Sequence, residues 1–157
     1  MSLELIAAVA LAAAPGQAAA AKSCPAVTPA QVEAQFARFN DAWATGNPDA
    51  VTALFTKNPV LLATVSNKPR TNPAEVRDYF VSFLRGKPVG RVDTSTVEID
   101  CNTATRLGTW TVTLTDPATG KKNDVKARYS FVYRWEDGQW KIDHLHSSAM
   151  PEAATGV

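Results

Sequence analysis

Apolar residues recur at every third or fourth position in the first half of the chain, which predicts amphipathic helices. The first helix begins after an N-cap at Thr28, with proline at its first position. A short helix is predicted from Asp49 to about Phe55, and a third begins after an N-cap at Asn72. The apolar positions that share one face of the first or third helix are Val32, Phe36, Phe39, Trp43, Val76, Tyr79, Phe80, Phe83 and Leu84.

After Gly90 the apolar residues fall at every second position instead, which predicts β-strands. A continuous apolar run at 60–65 predicts one further, buried strand between the second and third helices. The turns between the later strands are short, so these strands should form an antiparallel meander. The four strands of this meander are predicted at 91–100, 104–115, 124–135 and 139–146.

Helices followed by consecutive antiparallel strands define an α+β architecture. We expect three N-terminal helices packed on one face of a curved antiparallel sheet. Because the strands are long and rich in aromatic residues, the sheet can curl around the first helix and leave a pocket at its open end.

The N-terminal residues differ from the rest of the chain. Leu3 to Ala14 is an apolar stretch that is shorter than the roughly 20 residues needed to span a bilayer. The alanines at 18–21 satisfy the small-x-small rule for signal-peptidase cleavage, which predicts a signal peptide at 1–21 and a single mature domain at 22–157. Glu4 makes the n-region atypical, and an alanine-rich first helix of the folded domain is the alternative. A cleaved signal places the protein in the periplasm or outside the cell, with no membrane anchor.

Composition narrows the choice of partners. The 157 residues fit one domain. The chain contains sixteen Lys and Arg and fifteen Asp and Glu, and the basic residues form no stripe. This argues against a nucleic-acid partner. The only cysteines are Cys24 and Cys101. In an exported chain an even number favours a disulfide between them, and two independent buried thiols are the alternative.

The segment at 137–151, DGQWKIDHLHSSAMP, resembles the closing strand of the calcium/calmodulin-dependent protein kinase II association domain. In that family a DGxW turn leads to HxH, a serine and a small residue before proline. Residues 78–84 and 125–133 are similar to the bacterial SnoaL-like or association-domain-like branch of the nuclear transport factor 2-like superfamily. The resemblance covers about 28–152 and implies a cone-shaped, cystatin-like fold with an open pocket.

The resemblance also implies assembly through the outer face of the sheet. We expect a homodimer or a higher homo-oligomer, with Leu107 and the row Thr109, Thr111 and Thr113 on that face. A hydrated sheet face is the alternative, since antiparallel sheets often leave one side in water.

Two histidines near the end of the last strand are candidates for chemistry. His144 and His146 lie two positions apart, so regular alternation puts them on one face with Trp140 and Ile142. A catalytic zinc site normally needs a third protein ligand, and Asp143 falls on the opposite face, so we expect no metal and no cofactor. A hydrogen bond from one histidine to a carbonyl or hydroxyl near the sheet end is the ordinary alternative.

Arg128 occupies the middle of a predicted strand, where its fork of donors suits a carboxylate. The resemblance implies pocket arginines, so Arg128 is a candidate for binding an anionic ligand. An intramolecular pair with Asp78, Glu98 or Asp143, or simple exposure to water, is the alternative.

Some enzymes of the superfamily, of isomerase, dehydratase or cyclase type, use a pocket aspartate or histidine as general base. Here Asp41, His144 and His146 are the candidate bases, with Tyr79 or Tyr129 as donor to a developing oxyanion. No residue spacing is diagnostic for catalysis, and a fold does not fix a reaction.

The sequence therefore favours an exported, homo-oligomeric module that binds a small anionic or polar-aromatic ligand in an open pocket. A small pocket enzyme is the alternative. The residues expected to line the pocket are Trp43, Tyr79, Trp110, Arg128, Tyr129, His144 and His146.

Overall fold

The computed structural model describes residues 24–151. The helices are α1 (Pro29–Ala44), α2 (Pro48–Thr52) and α3 (Pro73–Phe83), the last extended by a short 3-10 turn at Leu84–Gly86. The caps form as the sequence predicts. Thr28 and Gln31 form a reciprocal capping box at α1, and the Asn72 side chain accepts from the Glu75 backbone N–H at α3.

The strands are β1 (Phe55–Leu62), β2 (Val89–Ile99), β3 (Thr103–Thr115), β4 (Lys122–Glu136) and β5 (Gln139–Ala149). They form one curved sheet in the order β1-β5-β4-β3-β2. The predicted antiparallel meander of β2 to β5 is confirmed. The sheet as a whole is mixed rather than antiparallel, because β1 pairs with β5 in parallel.

The second helix is shorter than expected and β1 begins earlier. The sequence predicts helix to about Phe55, whereas α2 ends at Thr52 and Phe55 already pairs with Ile142. The Ile142 backbone N–H donates to the Leu54 carbonyl at 2.8 Å. This contact between distant parts of the chain outweighs the weak local helix preference.

The core lies between α1, α3 and the concave face of the sheet. Phe39 of α1 is fully buried at its centre. Its ring centroid lies 4.7 Å from that of Trp43, 5.5 Å from that of Phe131 and 6.1 Å from that of Phe80. Such edge-on and tilted aromatic pairs are the arrangement that ring quadrupoles prefer. The predicted apolar face of α1 is therefore the surface around which the sheet curves.

A buried arginine fixes α1 to the meander. Arg106 of β3 is 6% exposed and lies on the concave face. Its Nε donates to Ser95 Oγ at 2.9 Å, and its Nη1 donates to the Glu33 carbonyl at 3.0 Å. Its guanidinium also lies 5.7 Å from the centre of the Phe36 ring. Hydrogen bonds and ring contact compensate the loss of water around this charge.

Cys24 and Cys101 form a disulfide with 4.7 Å between their Cα atoms. It joins the segment before α1 to the turn between β2 and β3. The predicted signal peptide at 1–21 lies outside the described residues. No helix among residues 24–151 is long and apolar enough to cross a membrane.

Replacing Cys101 with serine should lower the free energy of unfolding by about 2–4 kcal/mol, because the bridge restricts an unfolded chain over a sequence separation of 77. Urea denaturation of the oxidised protein and of Cys101→Ser measures the difference. Cys24→Ser is the matched control and should lose the same amount, with no further loss in the double variant. An unchanged urea midpoint after reduction with dithiothreitol would contradict the prediction.

Candidate functional site

An apolar pocket opens between α1, α3, the chain at 61–65 and the concave face of the sheet. Its wall combines aromatic residues of both helices with aliphatic residues of the sheet. Representative lining residues are Trp43, Leu61, Tyr79, Phe83, Trp110 and Leu145. A pocket is thus present, and Trp43, Tyr79 and Trp110 are among the residues that line it, while their role in ligand binding stays a prediction.

The pocket is narrow. It contains about 460 Å³ of space between its side chains, including the mouth, but the centre of a water molecule can reach only about 30 Å³ of this. By that measure one water needs on the order of 10–15 Å³. The inner part therefore suits a slender apolar group, and a bulky ligand would require side chains to move.

A small polar group lies at the sheet side of the pocket. Ser147 of β5 is 6% exposed, and its hydroxyl accepts a hydrogen bond from Trp110 Nε1 at 3.1 Å. The Thr64 hydroxyl donates to the same Ser147 oxygen. Both Thr64 and Ser147 line the pocket, so this pair of hydroxyls supplies polar atoms within an apolar wall.

Trp43, which also lines the pocket, has a buried polar atom without a partner in the described part of the chain, its indole nitrogen. The residue is 3% exposed, and its indole N–H has no hydrogen-bond partner among the described residues. Buried donors are nearly always paired, and leaving one unpaired costs about 1–3 kcal/mol. A polar atom of a bound molecule would remove that cost.

The expected position of the two histidines was wrong, because β5 contains a bulge. Ile142 pairs with Tyr133 and His144 pairs with the adjacent Val132, so Asp143 is an extra residue on β5. A single inserted residue reverses the alternation of every side chain beyond it. After the bulge Leu145 and Ser147 face inward, while His144 and His146 lie on the outer face of the sheet.

Asp143 itself holds the bulge in place. Its carboxylate accepts a hydrogen bond from the Thr56 hydroxyl at 3.1 Å and one from Arg134 Nη2 at 2.8 Å. The bond from Arg134, and secondarily its charge, keep the pKa of Asp143 below its usual range. Burial lowers the pKa of His144, and the neighbouring His146 lowers it further, although Asp143 opposes the shift.

Arg128 also lies outside the pocket. It is exposed on the outer face, where it pairs with Ser148 and its Nη2 is 3.4 Å from the Ala149 carbonyl oxygen. A shallow groove on that face brings Arg128 together with Ser130, His146 and Ser148. The sequence analysis expected Arg128 to line the pocket, whereas its strand face is the outer one.

Tyr129 belongs to the core rather than to the pocket wall. It is 3% exposed, its ring packs 5.5 Å from that of Trp110, and its hydroxyl donates to the Thr94 carbonyl at 3.0 Å. The Thr94 carbonyl oxygen lies close to Gly108, where an added Cβ atom would clash with it. The absence of a side chain at Gly108 is therefore required for the approach of β2.

None of the three candidate bases lines the pocket. Asp41 is exposed on α1, on the side away from the buried aromatic face, and the histidines are on the outer sheet face. Tyr79 is the only titratable pocket-lining residue among those described. Burial raises the pKa of Tyr79 well above its usual range, while the charge of Arg70 opposes the shift. Its hydroxyl is thus a neutral donor at physiological pH.

Arg70, which lies at the pocket mouth, was not among the candidate residues of the sequence analysis. A cleft lined by Ser66, Arg70, Asp78 and Ser82 adjoins the pocket, and Val65, Tyr79 and Phe83 line both. Arg70 follows a turn with no strand or helix period, so no pattern predicts its direction. Among residues 24–151 no group of three or more His, Cys, Asp or Glu is arranged to hold a metal ion.

Comparison with protein families finds a match to the SnoaL-like domain over residues 36–142. A solved structure from Xanthomonas campestris, named as a candidate calcium/calmodulin-dependent protein kinase II association domain, is 47% identical. That match covers 83% of this chain and 94% of the other, with a TM-score of 0.77. Among curated proteins no significant match was found.

More distant structures share the fold alone. A nuclear transport factor 2-like superfamily protein from Salmonella enterica is 15% identical, with a TM-score of 0.68 over 82% of this chain and 96% of the other. A candidate dehydratase from Streptomyces avermitilis is 14% identical, with a TM-score of 0.71 over 78% of this chain and 97% of the other.

Proposed function

The chain belongs to the SnoaL-like family of the nuclear transport factor 2-like superfamily, and we propose that it is an exported, homo-oligomeric module that binds a small amphipathic molecule in its pocket. The ligand has an apolar or aromatic body and at least one polar group.

The observation that supports this proposal most strongly is the unpaired indole N–H of Trp43 in an otherwise apolar wall. Ligand pockets are characteristically apolar with a few polar atoms that orient the ligand. The Thr64 and Ser147 hydroxyls provide further polar atoms in the same wall. A ligand with an acceptor near Trp43 gains the hydrogen bond that the protein alone leaves unmade.

Binding is favoured over catalysis by the residues that line the pocket. Proton abstraction needs a base within about 3 Å of the substrate, directly or through one water. The histidines and Asp41, which were the candidate bases, lie elsewhere, and Tyr79 is held in its neutral form. The dehydratase name belongs to a protein that is 14% identical, and we do not transfer that activity to this chain.

The pocket can be tested with 1-octanol, a slender neutral molecule whose binding is measured by isothermal titration calorimetry. Ala63 is half-buried and lines the pocket, so Ala63→Leu adds an isobutyl group to an already narrow space. We expect the variant to bind octanol about tenfold or more weakly than the wild type.

Ala37→Leu is the matched control, because Ala37 is exposed on α1 and does not line the pocket. It should bind octanol as the wild type does, and circular dichroism should show that both variants fold. Equal binding by all three proteins, or no binding by the wild type, would refute the pocket as a ligand site.

The proposed assembly uses the outer face of the sheet. Leu107 and Val132 are half-buried there, in register with Ser130, His146 and His144 of the neighbouring strands. No helix covers this face in the described part of the chain. An apolar centre with a polar surround is the usual composition of a homodimer interface.

Leu107→Glu should shift the protein towards monomer, because a twofold interface would bring the new carboxylates close together in a dehydrated region. Sedimentation velocity over a range of protein concentrations measures the shift. Ala37→Glu adds the same charge on the exposed side of α1 and should leave the mass unchanged. A wild-type protein that sediments as a monomer at every concentration would refute the proposed assembly.

Export is supported by the apolar N-terminal stretch, the alanine cleavage signal and the disulfide, which is typical of oxidising compartments. Expression of the full chain in a bacterial host should therefore yield periplasmic protein whose intact mass begins at Ala21 or Lys22. A chain started at Lys22 with an added methionine should remain in the cytoplasm. Uncleaved full-length protein confined to the cytoplasm would argue against export.

A further inference from the structure

We propose that Arg70 determines the class of ligand, and that the pocket takes a monocarboxylate whose apolar body fills the pocket and whose carboxylate binds the Arg70 guanidinium at the mouth. This inference rests on the proposed ligand-binding function and adds the chemical identity of the polar end.

The backbone and side chain of Arg70 are held in place before any ligand binds. Its backbone N–H donates to the Leu61 carbonyl at 3.0 Å, and its carbonyl accepts from the Leu61 N–H at 2.8 Å. Its Nη1 donates to Ser66 Oγ at 3.1 Å and to the Lys68 carbonyl. Its guanidinium lies 5.6 Å from the centre of the Tyr79 ring. A cation held in this way loses little freedom when it binds an anion.

Arg70 forms no salt bridge with the carboxylates of the described residues. None of the ion pairs within residues 24–151 includes Arg70, and its Nε is buried without a hydrogen-bond partner. The nearby carboxylate of Glu75 is already engaged, since it lies 3.7 Å from Lys68 Nζ and accepts from the Thr71 N–H at 2.9 Å. A partly buried guanidinium without an ion pair is a site at which an incoming carboxylate gains a charge-assisted hydrogen bond.

A continuous row of aromatic rings connects this charge to the pocket interior. Tyr79 stacks on Phe83 with 5.3 Å between ring centroids, and Phe83 lies edge-on to Trp43 at 5.2 Å. The cleft around Arg70 and the pocket share the side chains of Tyr79 and Phe83. An apolar group lying along these rings would therefore bring a terminal carboxylate to Arg70.

The surroundings favour a singly charged carboxylate over a phosphate. Asp78 lines the same cleft and would repel a dianion more strongly than a monoanion. The cleft provides one arginine, whose planar fork matches the two oxygens of a carboxylate, and the Ser66 and Ser82 hydroxyls can donate to the same oxygens.

The test compares octanoate with octanol, which share the same apolar chain, by isothermal titration calorimetry. The wild type should bind octanoate about tenfold or more tightly than octanol, as expected for a hydrogen bond to a charged group. Arg70→Gln should abolish this preference, mainly through weaker binding of octanoate. Arg70→Lys keeps the charge without the fork and should retain part of the preference.

Arg85→Gln is the matched control, because Arg85 is exposed and lines neither the pocket nor the cleft. It should keep the full preference for octanoate. If Arg70→Gln fails to fold, Arg70→Lys and the comparison of octanoate with octanol in the wild type still test the proposal. Equal affinity of the wild type for octanoate and octanol, or an octanoate preference that survives in Arg70→Gln, would overturn the role of Arg70.

The outcomes also separate this inference from the proposed function. If octanol binds the wild type and is excluded by Ala63→Leu, but octanoate shows no advantage or does not bind, the pocket is a ligand site and the carboxylate assignment is wrong. If neither octanol nor octanoate binds, the proposed binding function fails as well.

Discussion

The Asp143 carboxylate connects three strands. This contact decides which side chains of β5 face the pocket. Asp143 lies on β5, accepts from Thr56 of β1 and from Arg134 of β4, and so holds one extra residue in the last strand. Without the bulge, regular alternation would turn His144 and His146 towards the core in place of Leu145 and Ser147. Two imidazole side chains are thereby kept out of the pocket, and a leucine and a serine hydroxyl take their places.

The pocket that results provides two chemical environments, an apolar interior and a charged mouth. Its interior is bounded by Phe39, Trp43 and Trp110 and contains few polar atoms, so desolvation of an apolar group dominates there. Its mouth carries Arg70 over the Tyr79 ring beside serine hydroxyls, where charge and hydrogen bonding dominate. A molecule with one apolar and one polar end matches both environments, which is why the pocket is better suited to an amphipathic ligand than to a wholly polar one.

The outer face of the sheet differs from the pocket in composition and is the surface of the proposed assembly. Arg128, His144 and His146 gather there around Leu107 and Val132, on the side opposite the pocket. Assembly through this face would leave the pocket mouth open, because the mouth lies between α3 and the chain that follows β1. The proposed ligand binding and the proposed oligomerisation would therefore use separate surfaces.

The sequence by itself indicated the family, through the segment at 137–151, and the three helices and the antiparallel meander, because caps, turns and periodicity are local signals that the folded chain preserves. It favoured a bridge between Cys24 and Cys101, and the structure shows that bridge. It also identified Trp43, Tyr79 and Trp110 as pocket residues from their place on regular elements. It misplaced His144 and His146, since a bulge depends on contacts with Thr56 and Arg134 that lie far away in sequence. Arg70 was missed for a related reason: it follows an irregular turn, and only the tertiary packing of that turn against Tyr79 decides where its charge lies.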